Sequence, residues 1–152
     1  MNTEATYLLD TNVLVEAARR YYAFDIAPRF WEELKGHAGN RRIYSIDKVM
    51  TELKRGRDEL ADWAQREFEY VFVSTDEEHV IHWYGQLMQW AQNQDQYLDA
   101  AKAEFASDRI ADAWLIAYGK AEDCLLVTHE LPSSDAKKKI PIPNACEAFG
   151  VS

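Results

Sequence analysis

Cysteine is almost missing from this 152-residue chain, and its two copies, Cys124 and Cys146, are too few for a disulfide framework. Cys124 lies in an apolar stretch that reads as core, so both thiols are expected to be reduced. Six glycines and four prolines fall far below the content of collagenous or low-complexity chains, and 47% hydrophobic residues argue against disorder. Long hydrophobic runs are also lacking. The longest, Ala113 to Tyr118, is well short of the ~20 residues that cross a bilayer. No basic segment followed by an apolar one opens the chain, which predicts no secretory leader, no membrane association and a cytoplasmic location. Internal repeats are absent. What is there suits one globular domain over residues 1–152, large enough to bury roughly 70% of its unfolded surface.

Positive charge is scarce too. Seventeen Lys and Arg against 26 Asp and Glu leave a net charge of −9, which opposes non-specific nucleic-acid binding by field alone. The excess is uneven: residues 71–130 hold eleven acids and only three bases. Carboxylates gathered in one place hold divalent cations, and a bound cation reverses the local sign.

The apolar pattern alternates between strands and helices. Tyr7-Leu8-Leu9 reads as a buried strand that turns at Asp10-Thr11-Asn12 into a helix carrying Val13, Leu14, Ala17 and Ala18. A second helix is expected over Ala27 to His37 and a second strand over Ile43 to Ile46. Short helices follow, one around Val49 to Leu53 ended by Gly56 and one begun by Asp58. Tyr70 to Val73 is the third strand. Ser74-Thr75-Asp76 is expected to cap a long helix to Gln92, followed by helices over Tyr97 to Phe105 and Ser107 to Lys120. Cys124 to Thr128 is the fourth strand, and Lys137 to Pro143 suggests a short edge strand. The predicted fold class is α/β: a three-layer α/β/α domain on a parallel sheet of four to five strands. Ligands of such sheets bind outside the carboxyl ends of the strands.

Acidic residues fall where that rule points. Asp10 directly follows the first strand, where its alternative role is a helix cap. Glu130 follows the fourth strand in the same way. Glu52 lies on the helix after the second strand. Asp108 and Asp112, four apart, share one face of the predicted helix over Ser107 to Lys120, and Asp112 borders the apolar run that begins at Ala113. Crowded carboxylates repel unless some are protonated or a cation sits among them. Mg²⁺ or Mn²⁺ is the natural occupant, because hard cations take oxygen ligands and no Cys/His cluster of zinc spacing occurs. His79 and His82 lack two further ligands and read as surface or satisfied core residues. Trp83 and Trp90, seven apart beside the apolar stripe of the long helix, either widen its buried face or anchor a partner.

Four segments in series resemble the PIN-like ribonuclease domains, best known as toxins of toxin–antitoxin pairs. They are Tyr7-Leu8-Leu9-Asp10-Thr11-Asn12-Val13-Leu14, Val49-Met50-Thr51-Glu52-Leu53, Asp112-Ala113-Trp114-Leu115-Ile116-Ala117-Tyr118, and Leu126-Val127-Thr128-His129-Glu130. Arg20 to Asp25, Phe30-Trp31 and Ile142 to Phe149 further resemble a little-characterised PIN-like subgroup. The resemblance implies that Asp10, Glu52 and Asp112 are catalytic metal-holding acids, with Glu130 as the fourth, where the family often has Asp or Asn. It also implies Asn12 and Thr128 as small polar helpers. Asp108 has no place in the family pattern and is a second-tier candidate.

The implied chemistry is hydrolysis of RNA phosphodiester bonds assisted by Mg²⁺ or Mn²⁺, with an antitoxin protein as partner and a homodimer as a further possibility. Arg19, Arg20, Arg41, Arg42, Lys54 and Arg55 are candidates to hold RNA, with Tyr21 or Tyr22 for base stacking. A haloacid-dehalogenase-like phosphohydrolase, with Asp10 as nucleophile, needs a second acid two residues later, where this chain has Asn12. A non-catalytic PIN-like binding scaffold is the other alternative, and the retained acids weigh against it.

Overall fold

A computed structural model describes residues 5–152. Four short parallel strands form its sheet: β1 (Tyr7–Leu9), β2 (Ile43–Ile46), β3 (Phe72–Val73) and β4 (Leu125–Val127), in the order β3-β2-β1-β4. Tyr7 pairs with both Ile43 and Leu125, so β1 is central. From β1 the chain builds outward through β2 to β3, then returns to place β4 on the opposite side. The strand order therefore reverses between β1 and β4, and the crevice at their carboxyl ends is the expected ligand position of an open α/β sheet.

Helices flank the sheet in an α/β/α arrangement. The first four are α1 (Thr11–Glu16), which continues into a π-helical turn over Ala17–Tyr21, α2 (Pro28–Gly39), α3 (Asp47–Gly56) and α4 (Glu59–Glu67). Leu14, Trp31, Val49, Leu53 and Trp63 from this set, with Phe68 just after α4, join Leu8, Leu9 and Ile46 of the strands in one buried cluster. The later helices are α5 (Glu78–Gln92), α6 (Asp99–Phe105), α7 (Asp112–Glu122) and α8 (Ile142–Phe149). Val80, Leu87, Ala101, Phe105, Ile116, Ile142 and Cys146 form the second cluster. Leu126 on β4 and Trp114 on α7 pack against both. Local signals explain several boundaries. Pro28 opens α2, Asp58 caps α4 by accepting from the Ala61 N–H, and Gly150 (φ 68°) ends α8 in the left-handed conformation glycine allows.

Four expectations are corrected. No strand forms over residues 137–143: Pro141 and Pro143 break ladder pairing, Ile140 and Ile142 enter the core instead, and α8 begins at Ile142. The third strand shortens to Phe72–Val73 because Glu69–Val71 makes a 3₁₀ turn. Thr75 does not cap α5. It is buried, and its hydroxyl donates to Asp47 Oδ1 (2.9 Å) at the start of α3, so α5 begins only at Glu78. Finally, α7 begins at Asp112 rather than near Ser107. The Ser107 hydroxyl accepts from the Arg109 N–H (3.2 Å) and closes a separate turn.

Candidate active site at the carboxyl edge of the sheet

Asp10 leaves β1 in extended conformation and occupies the N-cap position of α1, yet its side chain makes no cap hydrogen bond. It turns instead toward β4, where the Thr128 hydroxyl donates to its Oδ2 at 2.9 Å. Only 2% of Asp10 is exposed. Burial raises its pKa above the ordinary carboxylate value; the hydrogen bond from Thr128 opposes this, and the negative charges of Glu130 and Glu52 add to the rise.

Asp112 is the first residue of α7, where the helix N-terminus favours a negative charge. Its side chain is 16% exposed. Burial, followed by the charges of Asp10 and Glu130, pushes its pKa up to about 7, with Lys139 pulling the other way. Glu52, on α3, accepts a hydrogen bond at Oε1 from the Ala111 N–H, the residue immediately before α7. Glu130 holds a place beyond β4. Its N–H donates to Thr128 Oγ1 (3.1 Å), Oε2 accepts from the Ile142 N–H (2.7 Å), and Oε1 pairs with Lys139 Nζ. Lys139 Nζ also lies 3.9 Å from Asp112 Oδ2. Burial alone would lower the Lys139 pKa, but the bond to Glu130 and the charge of Asp112 raise it, which keeps this amine protonated.

Asp10, Glu52, Asp112 and Glu130 are thus close enough for each of the other three to raise the Asp112 pKa. The donor set is oxygen throughout, the chemistry that suits Mg²⁺ or Mn²⁺, and a divalent cation would relieve repulsion among these like charges. Among the described residues, however, no three His, Cys, Asp or Glu side chains stand close enough to hold one ion between them. Glu52 and Glu130 each have partners of their own, the Ala111 N–H for one and the Ile142 N–H with Lys139 for the other.

The other predicted residues distribute around this centre. Thr128 is at the centre through its bond to Asp10. Asn12 is exposed and lines an open cleft of about 400 Å³ together with Glu16, Arg20, Tyr21, His129 and Glu130. Asp108 does not share a helix face with Asp112, because it precedes α7. It is exposed, and its charge, after burial, helps raise the Tyr84 pKa. Arg20 and Tyr21 sit in the cleft, but Arg20 pairs with Glu16 (3.1 Å) and Arg19 pairs with Asp58 (3.4 Å). Arg55 donates to the Arg109 carbonyl (2.6 Å). His79 and His82 are exposed. Trp83 and Trp90 are half-buried and both meet the ring of Phe149 edge-on, which favours the widened core face.

Lys139 was not a candidate from sequence. It ends the run Lys137-Lys138-Lys139, and its only signal was a cation one residue before the apolar Ile140. His129 and Glu16 were likewise missed. Neither carries a signal beyond adjacency to Glu130 or to the end of α1.

A central β1 ending in a buried acid at the strand-order reversal, with Asp112 and Glu130 beside it, defines an α/β/α domain with an acidic site at the carboxyl edge of its parallel sheet. Over residues 7–152 the chain matches the family described as "Domain of unknown function (DUF4411)", and it belongs to that family. Among solved structures it resembles a chain in the crystal structure of VapBC2 from Rickettsia felis bound to a DNA fragment from their promoter. The identity is 19%, the TM-score 0.52, and the match covers 82% of this chain and 88% of that one. That likeness is one of fold. No curated protein matches the chain.

Proposed function

We propose that this protein is a metal-dependent endoribonuclease of the PIN-like kind. The observation that carries the reading is the placement of Asp10, 2% exposed, at the strand-order reversal, with its charge coupled to those of Glu52 and Glu130. Buried, mutually repelling carboxylates are costly to a fold and suit a cation-holding role.

Asp10 and Asp112 would hold Mg²⁺ or Mn²⁺ directly, with Glu52 and Glu130 in the outer part of the centre. When bound, such an ion supplies Lewis acidity toward a phosphoryl oxygen and lowers the pKa of water. The protein's own contribution is orientation. Thr128 fixes one oxygen of Asp10, Glu52 fixes the start of α7 and hence Asp112, and the cleft beside Glu130 offers Arg20 and the exposed ring of Tyr21 to a nucleic-acid strand. RNA as the substrate class is part of the proposal.

The fold shared with a chain of VapBC2 supports a further step, that the protein acts as a toxin held in check by an antitoxin protein; self-association into a homodimer is compatible with it. Among the described residues no helix is long and apolar enough to cross a membrane, and both cysteines are free and buried. These features accord with action in the reducing cytoplasm.

The test is cleavage of a structured RNA by the purified chain with Mn²⁺ and with chelator, beside hydrolysis of a small phosphomonoester. Cleavage of RNA that needs Mn²⁺ and disappears in Asp10→Asn and Asp112→Asn supports the reading. Turnover of the phosphomonoester alone, or RNA cleavage that survives both substitutions, overturns it.

A further inference from the structure

Lys139 stands out among the basic residues because, although its side chain is 48% exposed, its amine reaches two acids of the centre. Its Nζ pairs with Glu130 Oε1 and lies 3.9 Å from Asp112 Oδ2. Both sides of this contact are anchored by backbone bonds. On the Lys139 side, the segment leading to it is tied at three points. Gln96 Nε2 donates to the carbonyls of Ser134 (2.9 Å) and Ala136 (2.8 Å), and the Leu98 N–H donates to the Lys137 carbonyl (2.9 Å). Ile140, the next residue, is 2% exposed and locks the segment into the second cluster. On the Glu130 side, Oε2 accepts from the Ile142 N–H and the residue's own N–H is held by Thr128. The lysine side of the pair is open to solvent screening, so its persistence rests on these ties of the two segments rather than on burial of the charges.

Both carboxylate oxygens of Glu130 are therefore engaged, one by a backbone donor and one by a cation of the same chain. Asp10 differs, since among the described residues the side-chain donor it meets is the neutral hydroxyl of Thr128. Among the described residues the centre is therefore asymmetric: a cation, Lys139, pairs with the acids on its β4 side, and none pairs with Asp10 on its β1 side.

We propose that Lys139 is a built-in cation of the acidic centre, so that Glu130 serves as its holder and the centre takes a single divalent cation on the side of Asp10 and Asp112. The proposal rests on the metal-dependent reading above and specifies the charge composition of that site. Lys139 acts through Glu130 and Asp112 and is a positioning residue. It offsets carboxylate repulsion while the centre is metal-free, and it opposes a second divalent cation by like-charge repulsion.

The experiment compares wild type, Lys139→Gln, Lys139→Arg and the neighbouring control Lys138→Gln, all as the full chain. Thermal melting is measured in chelator and in Mn²⁺, and Mn²⁺ binding is measured by titration calorimetry. The wild type should bind one Mn²⁺. Lys139→Gln should melt lower in chelator, bind Mn²⁺ about ten-fold more tightly, and show a larger Mn²⁺-induced rise in Tm, because the ion then replaces a lost positive charge. Lys139→Arg and Lys138→Gln should behave as wild type. Unchanged or weaker Mn²⁺ binding in Lys139→Gln, or two ions bound by wild type, overturns the role of Lys139 and leaves the metal site standing. Failure of both proteins to bind Mn²⁺ overturns the metal-dependent reading and this proposal with it.

Discussion

The hydroxyl of Thr128 donates a 2.9 Å hydrogen bond to Oδ2 of Asp10, joining two residues 118 positions apart across the β1–β4 boundary. The bond stabilises the charged form of a carboxyl that burial pushes toward the neutral one. Thr128→Val keeps the shape of the side chain and removes the donor. The Asp10 pKa should rise further, and a buried carboxylate left short of a donor should lower stability near neutral pH by about 1–3 kcal/mol. Urea denaturation and a ¹³C-detected carboxyl titration check the two effects. An unchanged Asp10 titration would show that the bond does not influence the charge of the site.

Asp112 makes metal-free stability depend on pH. Its folded pKa of about 7 lies above the ordinary value of 3.8, so the folded state holds its proton longer than the unfolded chain does. The stabilisation from this group is complete below pH 3.8, declines as pH rises toward 7, and is gone above it. A shift of that size corresponds to about 4 kcal/mol at most. In chelator, Asp112→Asn should therefore be more stable than wild type at pH 8 and closer to it at pH 4. Denaturant midpoints at the two pH values measure this. A variant less stable than wild type at both would mark Asp112 as a structural acid.

The extent to which the sequence foretold this arrangement depends on the range of the interactions involved. The placement of Asp10 and Glu130 at the sheet's carboxyl edge was legible because each follows an apolar strand, and the ends of parallel strands converge whatever their separation in the chain. The strand–helix alternation was equally plain, since Leu8, Leu14, Ile46 and Val49 report local periodicity. What escaped were side chains diverted by distant partners. Thr75 carries a good capping residue's chemistry and spends it on Asp47, 28 positions away. Ser107 closes a turn of its own, which removed Asp108 from the face of Asp112. Lys139 is one of three consecutive lysines, and its place next to the apolar Ile140 does not tell that it reaches Glu130.

Trp83 and Trp90 share one neighbour: both rings lie edge-on to Phe149 of α8, and Lys120 sits over the Trp83 ring at 5.1 Å. Phe149→Ala should remove the support of both and lower stability by about 2–4 kcal/mol, somewhat below the value for a fully buried ring. Guanidinium denaturation measures the loss, and RNA cleavage at a temperature where the variant is folded should be unaffected. Stability within about 0.5 kcal/mol of wild type would show that the two indoles are available to a partner rather than committed to the core.

Glu52 combines two roles that substitution can separate. Its Oε1 accepts from the Ala111 N–H and so fixes the residue before α7, whose first member is Asp112. Ala111 is 1% exposed, so this N–H has no ready water to replace the bond. Glu52→Gln retains a carbonyl acceptor and removes the charge, whereas Glu52→Ala removes both. Glu52→Ala should lose about 1–3 kcal/mol through the orphaned N–H, and Glu52→Gln considerably less. If the charge of Glu52 also serves the metal centre, Glu52→Gln should bind Mn²⁺ more weakly than wild type while its metal-free melting stays close to normal. Melting in chelator paired with Mn²⁺ calorimetry separates the roles. Equal loss of stability in both variants would show that the charge, and not the acceptor, holds the start of α7 in place.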